Sequence, residues 1–325
     1  MKGKLFRMIL TFYPAAFAGF VILLIPVSTW AHGFAGKRFF PTTLSIEDPF
    51  VSDELSFIFG YLKEPGEGGE PSTNSYEISA EYTKRITQHF GVSIGDDYRF
   101  LDQDEGKNEN GFGNLELGAK YQFFTNAPHE AVLSIGIEFE IADTGDSEAE
   151  AEPFTTISPA FFFGKGLGDL PESLKYLRPL AITGVIGPNF PTDTKTVTTE
   201  VDEERGEIER EVERNPNTLS YGFSIQYSLQ YLQSFVKDVG LGAPFDRMIL
   251  LLEFPFETAL NRGSEGDTTG FINPGIIWVG EYIQLGVELQ IPVNDRSGEN
   301  VGVLGIIHFF MDDLFPNSLG RPIFR

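Results

Sequence analysis

The sequence predicts an all-β chain, a transmembrane antiparallel up-and-down β-barrel of the outer-membrane type with about 12 strands. Three observations carry this. Apolar and polar residues alternate with period two in a dozen stretches between positions 54 and 310. After residue 31 no apolar run is long enough for a membrane-spanning helix. The connections alternate between short turns and longer acidic loops.

The clearest stretch is 217–233, NTLSYGFSIQYSLQYLQ, where Leu219, Tyr221, Phe223, Ile225, Tyr227, Leu229 and Tyr231 alternate with small or polar residues. A strand of about fifteen residues is long for a soluble sheet, where five or six is usual. It suits a tilted strand with roughly nine to eleven residues in lipid plus overhang.

From the start, residues 1–31 read as a secretory signal peptide: Lys2, Lys4 and Arg7, an apolar run through Val27, then Thr29-Trp30-Ala31. A retained membrane anchor is the alternative. Without this leader the chain has 21 basic against 47 acidic groups, a formal charge of −26. Such a field argues against nucleic acid as a partner. With no cysteine, disulfides and thiolate metal sites are excluded.

Residues 32–53 have no sustained period and carry two prolines, as expected for a periplasmic N-terminal segment or a lumen plug. Alternating strands then fall near 54–63, 75–86, 90–100, 112–124, 131–141 and 154–164, with Asp96 interrupting the third as a bulge. Residues 179–189 are a weaker strand because Pro179, Pro188 and Pro191 cannot donate to a ladder. The loop 190–216 reads as a charged hairpin projecting beyond the membrane. Strands 217–233, 247–260, 270–279, 282–293 and 300–310 complete the barrel, 54–310, and leave a tail at 311–325.

The six longer connections, 63–74, 101–111, 142–153, 190–216, 261–269 and 294–299, sum to a formal charge of −17. The other set, 87–89, 125–130, 164–178, 234–246 and 280–281, sums to about −2. Short turns at one end and long polar loops at the other is the outer-membrane arrangement, with both termini in the periplasm.

Residues 111–123, GFGNLELGAKYQF, resemble a strand of the outer-membrane β-barrel transporter families, among them the group labelled for the MetA pathway of phenol degradation. Asn114 stands where an acid is more usual. The resemblance implies a bacterial outer-membrane barrel and a transport role. It also implies a terminal aromatic insertion signal, from which this chain departs, since fifteen residues follow Phe310 and Arg325 follows Phe324.

Inward positions carry Glu77, Glu81, Glu116, Glu138, Glu140, Glu253, Glu257 and Glu288 against Arg85, Arg99 and Lys120, with His308 in the same phase. A water-filled lumen lined in this way favours cations. Equally, these groups can pair across a packed interior. The leading expectation is a channel or transporter for small molecules, hydrophobic or cationic, surrounded by outer-membrane lipid and lipopolysaccharide. The alternative is a closed docking barrel that binds a surface component through its long acidic loops, with a protein partner at 190–216.

An outer-membrane lipid hydrolase is the minor alternative. Ser220, Ser224, Ser228 and His308 supply the residue types, but no Gly-x-Ser-x-Gly elbow is present. No cofactor is expected. The acidic loops lack the spacing of a calcium loop. As a mature N-terminus His32 offers an amine and an imidazole to a copper-like ion, although a histidine that merely follows the cleavage site is the simpler reading.

Overall fold

A computed structural model describes residues 33–64, 72–104, 106–202 and 207–324; the leader expected over 1–31, and His32, lie outside them. Twelve strands form the barrel: β1 Glu54–Glu64, β2 Thr73–Arg85, β3 Phe90–Gln103, β4 Leu115–Asn126, β5 Ala131–Ile141, β6 Thr156–Gly166, β7 Leu180–Pro191, β8 Thr218–Ser228, β9 Met248–Ala259, β10 Thr268–Val279, β11 Ile283–Pro292 and β12 Gly302–Phe310. Each pairs antiparallel with its neighbours in sequence, and β12 pairs with β1 from Phe310↔Glu54 to Val303↔Tyr61. Closure leaves no sheet edge, which is the condition for placing strands in lipid.

The alternation read from the sequence sets the two faces. Tyr76, Ile78, Ile94, Tyr121, Ile135 and Ile186 are exposed on the outside, an apolar surface too extensive for a soluble monomer. The short turns lie at one end, which in outer-membrane barrels faces the periplasm, and the long loops at the other. Above the rim, Lys195–Asp202 and Glu207–Arg214 pair as a separate two-stranded ribbon.

Four local expectations change. The stretch 217–233 is not one strand: β8 stops at Ser228, whose hydroxyl accepts the Tyr231 N–H, and a helical turn carries Tyr231 into the interior. Asp96 marks no bulge towards β2, where it stays in register opposite Ala80. The interruption falls in the next strand, at Gly113–Asn114, between the short strand Glu109–Phe112 and β4. A true irregularity occurs at Gln122/Phe124 in β4, where the slip lets both Phe123 and Phe124 face outward.

The prolines of β7 do not exclude it from the wall. Its ladder to β6 lapses between Ile186↔Phe161 and Phe190↔Ile157, where Pro188 and Pro159 fall.

Candidate functional site

Residues 33–53 do not trail away from the barrel. They run up inside it from the short-turn end to about mid-height and return to the start of β1, held along the way by wall side chains.

The rising arm is anchored by Arg38, which is 1% exposed. Its Nε donates to Glu130 at 3.3 Å and its Nη1 to the Pro179 carbonyl at 2.8 Å, while Nη2 donates to the Arg178 carbonyl. The guanidinium also lies 3.9 Å from the centre of the Tyr231 ring, a cation–π contact. Burial pushes the Arg38 guanidinium down, opposed by Glu130. The Tyr231 hydroxyl, buried and donating to Glu130 at 2.8 Å, is pushed up to about 12.

At the tip, three consecutive backbone N–H groups converge on one carboxylate. Leu44 and Ser45 donate to Glu253 Oε2 and Ile46 to Oε1, each at 3.0 Å. Successive N–H groups arranged in this way form an anion-binding concavity, here filled by a side chain of the same protein. The Ser45 hydroxyl donates to Glu288 Oε1 at 2.6 Å, and the Asn273 amide donates to both Ser45 Oγ and Glu288 Oε1. Gln284 holds the Thr42 carbonyl. Ile46 lies over Gly222, whose missing side chain leaves it room.

Lys120 takes the crest of the descending arm, 2.5 Å from Glu47 and donating to the Asp48 carbonyl at 2.8 Å. Gln122 then accepts the Val51 N–H. At the base Asp53, wholly buried, accepts from Lys84 Nζ at 2.5 Å, Arg85 N–H at 2.9 Å and Arg85 Nε at 2.6 Å.

Leu44 packs with Ile249, Leu251, Ile277 and Ile306 of the wall, and Phe40 and Phe50 with Val132 and Ala181. The lower lumen is therefore packed, with two apolar clusters set among buried charged and polar anchors, rather than wet throughout.

The β2–β6 side remains open. A cavity of about 410 Å³ lies between the segment and this wall, lined among others by Glu77, Glu81, Asp97, Arg99, Glu116 and Glu138. Arg99 is 2.7 Å from Asp97 and 4.0 Å from Glu77. Cross-strand register sets Glu81 opposite Gly95, Gly95 opposite Glu116, and Gly118 opposite Glu138, so glycines separate the carboxylates and keep the wall shallow.

In fold the chain is similar to the "COG4313 outer membrane channel" of Pseudomonas putida F1, with TM-score 0.50 and 11% identity over 84% of this chain and 99% of that one. What the two share is the fold, a closed antiparallel β-barrel. The chain also aligns with the KdgM porin, at TM-score 0.45 and 11% identity over 79% of this chain and 98% of that one. The NanC porin aligns at TM-score 0.44 and 10% identity, with the same coverage, 79% and 98%. No protein-family model and no curated protein matches the sequence.

The inward residues read from the sequence divide into three groups. Glu77, Glu81, Glu116, Glu138 and Arg99 border the open cavity. Glu253, Glu288 and Lys120 hold the inserted segment, Lys120 also bordering the cavity. Glu140 and Glu257 do neither: Glu140 accepts from Asn114, and Glu257 accepts from Asn189 and Ser220. Arg85 sits at the short-turn end, bound to Asp53 and to the Gly320 carbonyl of the C-terminal tail. That tail continues with Ile323 and Phe324 N–H groups donating to the Arg85 and Ile86 carbonyls.

The serines proposed for His308 are elsewhere. Ser224 bonds Thr183 and Gln226, Ser220 bonds Glu257, and Ser228 caps the turn after β8. Instead Ser56 Oγ lies 2.9 Å from His308 Nδ1, with Glu54 Oε2 3.5 Å from Nε2. This Ser–His–Glu row was legible only through the β1–β12 register, His308↔Ser56, which no local pattern specifies. His308 is fully buried, and backbone N–H groups in a paired ladder are not free to form an oxyanion hole.

Proposed function

We propose that this chain is an outer-membrane channel for small solutes, cations in preference, in which residues 33–53 act as a plug and the β2–β6 cavity is the part of the path that the plug leaves unfilled. The observation that carries the reading is that cavity, whose open side presents Glu77, Glu81, Glu116 and Glu138. Carboxylates facing a water-filled constriction raise the local concentration of cations and repel anions. Placement of the chain with the MetA phenol-degradation group belongs to the same proposal and is supported by residues 111–123. In this reading lipid and lipopolysaccharide surround the wall, and no hydrolytic role is assigned to Ser56.

Reversal potentials in planar bilayers under a salt gradient test it. The wild type is expected to be cation-selective, and the triple variant Glu81→Gln, Glu116→Gln, Glu138→Gln to lose most of that selectivity. Anion selectivity in the wild type, or an unchanged reversal potential in the variant, would overturn it.

A second reading is supported by the filled β8–β12 half of the lumen: a closed barrel that docks a surface protein through the ribbon in 190–216. That reading expects no conductance under any condition.

A further inference from the structure

Glu253 and Glu288 are held by the same residue, the Ser45 N–H reaching Glu253 Oε2 at 3.0 Å and its hydroxyl Glu288 Oε1 at 2.6 Å, and both are buried, at 0% and 1% exposure. Two buried carboxylates gripped by one serine cannot both stay ionised without a balancing charge, so the pair holds a proton. The donors around the pair are the N–H groups of residues 44–46, the Ser45 hydroxyl and the Asn273 amide. All are neutral. Both Glu253 oxygens accept N–H groups. The proton lies within the pair, where Glu288 Oε2 is the oxygen left without another partner among the described residues.

The elements packed around the pair bring no balancing charge. Ser224 on β8 and Asn273 on β10 are the cross-strand partners of Glu253. Leu304 on β12 and Gly275 on β10 are those of Glu288. Glu257, further along β9, is bound by Asn189 and Ser220. His308 on β12 is engaged by Ser56 and Glu54, Glu47 is paired with Lys120, and Asp48 accepts from Thr42 and the Phe50 N–H.

We propose that the proton shared by Glu253 and Glu288 latches the tip of the plug, so that losing it frees residues 44–46 and opens the lumen. This rests on the channel reading above. With the proton gone, two like charges share a dry site, a geometry that two carboxylates do not sustain. Release lets both hydrate. The released state binds fewer protons, so rising pH favours it and falling pH favours the latched state.

The test uses the full chain in two assays. Open probability in planar bilayers is expected to rise about tenfold or more from about pH 6 to about pH 9. Glu288→Gln, whose amide is neutral at every pH, is expected to stay closed and flat across that range. In parallel, Ile46→Cys in this cysteine-free chain is labelled with an impermeant thiol reagent, each rate divided by that of Ser264→Cys in an outer loop. The ratio is expected to climb with pH and to stay flat when Glu288→Gln is added.

A labelling ratio independent of pH, or equally pH-dependent with Glu288→Gln, overturns the latch. A rising ratio without conductance at any pH supports the latch and sinks the channel reading. Conductance with a flat ratio does the reverse.

Discussion

Replacing Glu253 with alanine is expected to free residues 44–46 and to raise the conductance at neutral pH by about 10² or more. Three N–H groups would lose their shared acceptor in a closed site. Leaving a buried donor unsatisfied costs about 1–3 kcal/mol, so three cost about 3 kcal/mol or more. With every 1.4 kcal/mol worth about tenfold, that shifts the engaged and released populations by at least about 10². The wall should survive, because the backbone pairing of position 253 with Ser224 and Asn273 does not use the side chain. Heat-modifiable gel mobility would confirm an intact barrel. Unchanged conductance in a folded variant would show that Glu253 does not hold the tip.

Asp53→Ala should be the most destabilising single change at the base of the barrel. Its carboxylate is fully buried and accepts from Lys84, from the Arg85 backbone and from the Arg85 guanidinium. Removing one partner of a buried ion pair costs about 3–5 kcal/mol, because the remaining charge keeps its desolvation penalty. Lys84 and Arg85 also bind the carbonyls of Leu319, Gly320 and Arg321, so the C-terminal tail should loosen together with the plug base. Urea titration of the folded gel band is the check, with Asp53→Asn expected to fall between the wild type and Asp53→Ala. A loss below about 0.5 kcal/mol, typical of an inert surface change, would contradict this.

The wall was legible because its outside is written in large side chains. In β2, Tyr76 and Ile78 outside against Glu77 and Glu81 inside leave one register, since a slip by one residue would put carboxylates in lipid. β9 was less legible. MILLLEF is apolar on both faces, and that Ile249 and Leu251 meet Leu44 inside depends on a segment some two hundred residues earlier.

Glu253 and Glu288 look in sequence like Glu81 and Glu116. Only the fold separates the two that grip backbone N–H or hydroxyl donors from the two that face open space. The helical turn after β8 was hidden for another reason. Leu229 and Tyr231 continue the period of two, while a single capping bond from Ser228 ends the strand.

The claim on which the rest depends is that residues 33–53 stop a pore that otherwise conducts. Single-channel recording at neutral pH of the full chain beside a chain lacking residues 34–50, both verified as folded by heat-modifiable mobility, tests it most directly. The expected result is brief or rare openings for the full chain and a steady, larger, cation-selective conductance for the shortened one. Identical conductance in the two, or none in either, would contradict it.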